Sequence, residues 1–147
     1  MFSNRYFFFK VLVICSISIS FFLGYFFGEN SAGGGAEFYA MEWPIIQSFK
    51  KDFLFTINNY GLTHDYTMPF PHMMNAYLNP FSDNAKSFQL ANTIISFMIV
   101  LIFAIALKKK FSHINFVDIL LIASVFLISP FFRTSAFWGK QENYGWL

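Results

Sequence analysis

The sequence is poor in charge and has almost no cysteine. Only 12% of its 147 residues are charged, where a soluble domain carries roughly 25%. So few polar groups cannot cover the surface of a short water-soluble chain, which excludes an ordinary soluble domain. The formal net charge is +2 and dispersed, so no nucleic-acid partner is expected. Cys15 stands alone inside an apolar run, which excludes an internal disulfide framework and a cysteine metal site. No Asn-x-Ser/Thr sequon occurs.

What is abundant is apolar. Hydrophobic residues make up 56% of the chain, and 23 of them are Phe, a residue that favours membrane insertion. The bilayer is the solvent these side chains call for. The fold class expected is an all-α membrane protein with three transmembrane helices, at about 6–27, 87–107 and 116–132. A large outer loop, 29–86, would carry short interfacial helices.

The first run, Tyr6 to Phe27, is broken only by Lys10. As a helix it would be about 33 Å long, enough for a hydrocarbon core of roughly 30 Å. Its basic start resembles a signal peptide. The stretch Phe21-Phe22-Leu23-Gly24-Tyr25-Phe26-Phe27 offers no small-x-small cleavage site, so it is read as a retained helix. The second run ends in Lys108-Lys109-Lys110, and the third is followed by Arg133. The positive-inside rule puts Arg5, Lys10 and the triple lysine in the cytoplasm. The N-terminus is then cytoplasmic and the loop 29–86 outside. Asp118 is expected to pair with Lys108–Lys110 near the interface. Asn92, Thr93 and Ser96 are expected to hydrogen-bond between helices. The chain stops at the mostly apolar Tyr144-Gly145-Trp146-Leu147 and is read as a single membrane domain, the N-terminal portion of a longer protein.

The loop is neither short nor polar. Gly33-Gly34-Gly35 either forms a flexible hinge or lets backbone approach a ligand. From Glu37 to Phe49 the residues Phe38, Met41, Ile45 and Phe49 recur at helical spacing, with Pro44 kinking that helix or starting another. Glu42 reads as surface. Asn58-Asn59-Tyr60-Gly61 and His64-Asp65-Tyr66 read as turns. Pro71 opens a helix that Pro80 ends, with His72, Asn75 or Ala76, and Asn79 on one face. Glu37 could act as a general base for a hydroxyl nucleophile at the membrane surface, or simply sit well in a first helical turn. His64 and His72 have no third metal ligand clustered with them, so no metal site is expected.

The order of one N-terminal helix, an outer loop with an early acid, and surface helices after it resembles the GT-C superfamily of membrane glycosyltransferases, such as the protein O-mannosyltransferases. The motifs are Ala36-Glu37-Phe38-Tyr39, then Trp43-Pro44-Ile45-Ile46-Gln47-Ser48-Phe49, and Thr67-Met68-Pro69-Phe70-Pro71-His72 leading to Tyr77. Ala36 stands where the family carries the first acid of a pair, leaving Glu37 for the catalytic role. The resemblance implies transfer of a sugar from a polyprenyl-phosphate donor to an acceptor on the non-cytoplasmic face, with no cofactor. Arg133, Lys140, His72 and Glu142 are then the candidate substrate-binding residues, and a cation among them would hold the leaving phosphate. The alternative is a non-catalytic membrane subunit whose outer loop binds a partner membrane protein. A transporter fragment is a third reading, against which no span carries a charge near its centre.

Overall fold

The computed structural model describes residues 2–63 and 68–140. Among them every regular element is helical. The elements are α1 (Phe2–Phe26), α2 (Gly34–Glu37), a π-helical segment (Phe38–Glu42), α3 (Trp43–Lys51), α4 (Phe53–Thr63), α5 (Pro69–Leu78), α6 (Ala85–Lys110), α7 (Phe116–Ala123), a 3₁₀ segment (Ser124–Ile128) and α8 (Pro130–Phe137).

The protein is an all-α membrane protein. Two helical stretches, Arg5–Phe26 and Ala85–Lys110, are long and apolar enough to cross a bilayer. The N-terminal half of α1 leaves Tyr6, Phe7, Phe8 and Phe9 exposed. Such a belt would be prohibitive in water and is natural against lipid. Further along, α1 packs inward at Phe21, whose ring meets Phe22, Phe97, Phe132 and Phe137.

The third span departs from the expected straight helix over 116–132. The chain runs α-helical to Ala123 and tightens to 3₁₀ through Ile128. It then breaks at Ser129 before α8 sets off at 71°. Pro130 is the cause. Its ring cannot continue a helix, and it forces the preceding residue out of the helical region; Ser129 is extended at ψ 123°. The ends of this broken segment still reach opposite ends of α1. Lys10 donates to Asp118 at 2.5 Å near the start of α1, and Lys140 pairs with Glu37 beyond its finish. The two bent helices together, called the broken span below, are long and apolar enough to count as a third crossing only when taken as one. Asp118 thus takes Lys10 as partner, not the lysine run as expected. Lys108 instead caps the carbonyls of Ser112 and Ile114 at 2.6 and 2.7 Å.

The loop folds into a small helical unit on one end of this bundle. Phe38, Ile45, Ile46, Phe49, Tyr60 and Ala76 form its core together with Phe88 of α6. Asn58–Gly61 does not turn as the sequence suggested. It lies within α4, because Tyr60 must point inward to stack near Phe49, and burying an aromatic ring outweighs the local turn preference of Asn-Gly. The segment 64–66 lies outside the described residues. The expected helix around Pro44 is present, the one expected to open at Pro71 begins two residues earlier at Pro69, and the face of α5 that carries His72, Asn75 and Ala76 is the buried one.

Candidate functional site

Two helix ends build the junction between loop and bundle. α1 closes with Gly28 at φ +67°. The amide of Glu29 reaches back to the Gly24 carbonyl at 2.8 Å, and that of Gly28 to Tyr25 at 3.0 Å. α8 closes in the same manner, with Gly139 at φ +63° and the Lys140 amide on the Ser135 carbonyl at 2.9 Å. Both are left-handed caps in which glycine avoids the Cβ clash. Each delivers one charged residue, Glu29 or Lys140, to the same face.

There the charges pair. Arg133 is buried beneath the junction, and each of its guanidinium nitrogens is engaged. Nε donates to Glu29 Oε1 at 2.8 Å and Nη2 to Glu29 Oε2, while Nη1 and Nη2 reach the carbonyls of Leu127 at 3.1 Å and Ser20 at 3.0 Å. The rings of Phe21 and Phe137 flank the cation. Arg133 is thus a clamp joining α1, the 3₁₀ segment and α8. The hydrogen bonds from Arg133 hold the Glu29 carboxyl below its ordinary value, against the opposing effect of burial and with help from the Ser31 hydroxyl.

Glu37 and Lys140 form the second pair. Glu37 is half-exposed and Lys140 largely covered, so the carboxylate faces solvent with a cation beside it. Trp138 separates the two pairs. Its indole N–H donates to the Glu29 carbonyl at 3.0 Å, and its ring lies flat against the glycine run. A Cβ on Gly35 would sit 3.1 Å from that ring, and one on Gly34 only 2.6 Å from the Thr134 methyl. Gly34 and Gly35 are therefore a packing surface for Trp138, neither a free hinge nor a ligand cradle.

A groove runs from this junction into the bundle between α6 and the broken span, about 1030 Å³ in volume. Phe103, Leu107, Ile122 and Val125 wall its far part; Thr134, Ser135 and Lys140 line it at the junction. Thr93 on α6 faces the same break. Its hydroxyl lies within hydrogen-bonding distance of the carbonyls of Gln89 at 2.8 Å and Ala136 at 3.3 Å, the helix-to-helix role expected of it.

A third constellation lies inside the loop unit. His72 is fully buried on α5. Its Nε2 is 2.6 Å from Glu42 Oε2 and its Nδ1 is 2.8 Å from the Tyr60 hydroxyl. A carboxylate accepts from Nε2–H, so in the neutral ring Nδ1 accepts from the phenol. Glu42 is consequently not plain surface, and His72, walled in on both nitrogens, cannot itself meet a substrate. Glu142 lies outside the described residues. Among the described residues no cluster of three His, Cys, Asp or Glu could hold a metal.

Of the residues singled out in the sequence, the structure joins Glu37 to Lys140 and sends Arg133 and His72 to structural partners. Sequence reasoning missed Glu29 and Tyr60. Glu29 had a signal: in a chain so short of charge, an acid directly after a helix-ending Gly needs a cation. Comparison with known protein families, curated proteins and solved structures found no match.

Proposed function

We propose that the protein is a membrane glycosyltransferase that moves a sugar from a polyprenyl-phosphate donor to an acceptor hydroxyl on the face carrying the loop unit. The carrying observation is the groove between α6 and the broken span, apolar along its length and ending at Lys140, the ion-pair partner of Glu37. A long hydrocarbon tail with an anionic head fits that gradient, because the tail leaves lipid at little cost while the phosphate meets a cation.

In this reading Lys140 turns from Glu37 to the donor phosphate, and Glu37 is released as general base. The acceptor oxygen attacks the anomeric carbon, its proton passes to the Glu37 carboxylate, and the bond from that carbon to the phosphate oxygen breaks. The lipid phosphate leaves with the electron pair, its charge held by Lys140. Arg133 and Glu29 keep the cap of α1 and the cap of α8 in register so that the two working groups meet. Arg5, Lys10 and Lys108–Lys110 gather at the opposite end of the bundle, so the positive-inside rule assigns the loop unit to the non-cytoplasmic side.

Thermal shift in detergent tests the groove directly. Undecaprenyl phosphate should raise Tm of the wild type more than a short-chain prenyl phosphate at equal concentration, and Lys140→Gln should reduce the shift given by both lipids. Equal shifts for both lipids would sink the groove assignment.

A further inference from the structure

A second apolar cleft, about 520 Å³, lies between α5 and α6. On one side are Phe70, Met74 and Leu78 of α5, and on the other Ile94 and Ile95 of α6. Ala91 floors it. This is not the groove that ends at Lys140. Phe103 and Leu107, which wall that groove, come twelve residues after Ala91 and Ile95. At about 100° per residue they are rotated by about 120° around α6.

The membrane decides what can enter. With Ala85, the first residue of the span, set at the water edge of the headgroup layer, the wall Ala91–Ile95 stands about 9–15 Å along the helix, below a headgroup layer of roughly 5–8 Å. Met98 and Ile102 continue the same side of α6 and are about half exposed, so the cleft opens onto the lipid-facing strip of the span. Among the described residues no charged side chain lines it; the polar groups in its lining are the neutral amides of Asn75 and Asn79. Pro71 near the start of α5 and Pro80 just beyond its end stiffen the α5 side, so the cleft is largely preformed.

We propose that this cleft seats one hydrocarbon chain of a bilayer lipid, with the amides of Asn75 and Asn79 at the level of its polar headgroup. The site is continuous with the hydrocarbon, is closed to water-soluble partners, and lacks the cation that marks the other groove. It does not depend on the transferase reading.

The test is photolabelling of the protein in phosphatidylethanolamine and phosphatidylglycerol vesicles that contain a phospholipid with a diazirine in one acyl chain. Labelled positions are mapped by mass spectrometry. Met74, Leu78 and Ile95 should be labelled several-fold more than Ile102 and Ile105, which lie on the open lipid-facing surface. Ala91→Trp, which fills the floor, should bring the cleft down to the open-surface level and leave Ile102 unchanged. The proposal is overturned if wild-type cleft labelling does not exceed that of Ile102 and Ile105, as it would not if a protein segment occupied the cleft. It is equally overturned if the excess survives Ala91→Trp. Should that variant fail to insert, Met74→Trp replaces it, and the wild-type ratio stands as a test by itself.

Discussion

Glu29 and Arg133 stand 104 residues apart in sequence and meet through both carboxylate oxygens, with Nε to Oε1 at 2.8 Å. Through this contact the end of the first span is tied to α8. The guanidinium is buried, so removing its counter-charge leaves it unpaired in a poorly solvated place. Glu29→Gln should cost about 2–3 kcal/mol of stability, read as a lower Tm in detergent at neutral pH. The pH dependence has a definite sign. The folded-state pKa of Glu29 is depressed by Arg133, so its contribution is present above the ordinary carboxylate pKa of 4.5. It is lost as pH falls through the lower folded value. The Tm gap between wild type and Glu29→Gln should therefore be full at pH 6–7 and close under strongly acidic conditions. A gap independent of pH would contradict the assignment.

Gly139 and Gly61 should respond in opposite directions to alanine. Gly139 has φ +63°, and a Cβ there would come 2.5 Å from the Phe88 ring. Gly139→Ala should lower stability by at least about 1–2 kcal/mol and unseat Lys140 from Glu37. Gly61 lies in α4 with no atom within 4 Å of the added Cβ. Gly61→Ala should raise stability by about 0.5–1 kcal/mol. Thermal melts of the two variants beside wild type check both signs.

The loop unit has its own core and its own buried hydrogen-bonded chain, Glu42–His72–Tyr60. His72→Leu removes the partner of a largely covered carboxylate and of a buried phenol. Hydrogen exchange should accelerate across α3, α4 and α5 while α1 and the middle of α6 keep wild-type protection. Uniform acceleration through both cores would show that the loop unit and the bundle open as one.

The membrane class and the two straight spans were legible because long apolar runs bounded by lysine have no other solvent. The break near the third expected helix was present in the letters, at Ser129-Pro130, within the apolar run 116–132 that was expected as one helix. The helix α4 was hidden because Asn58-Asn59-Tyr60-Gly61 carries turn chemistry, and only packing of Tyr60 against Phe49 overrides it. At the site, Glu37 and Lys140 could be suspected from their types and their common face, and the structure brings them together. The roles of Arg133, Glu42 and His72 were not legible, because each is set by a partner from another helix. Glu29 is 104 positions from Arg133, and Glu42 is 30 from His72. A single sequence carries no record of which distant charges meet.

The central claim is that Glu37 serves as the base in sugar transfer. The most direct measurement is transfer by membranes containing the protein, supplied with a labelled polyprenyl-phosphate sugar pool, for wild type, Glu37→Gln and Glu29→Gln at equal inserted amounts. The account predicts a fall of about 10²-fold or more for Glu37→Gln. Glu29→Gln should keep much of its activity at temperatures below its lowered melting point. Transfer by Glu37→Gln at the wild-type rate would contradict the claim and favour the membrane subunit that binds a partner protein through its outer loop.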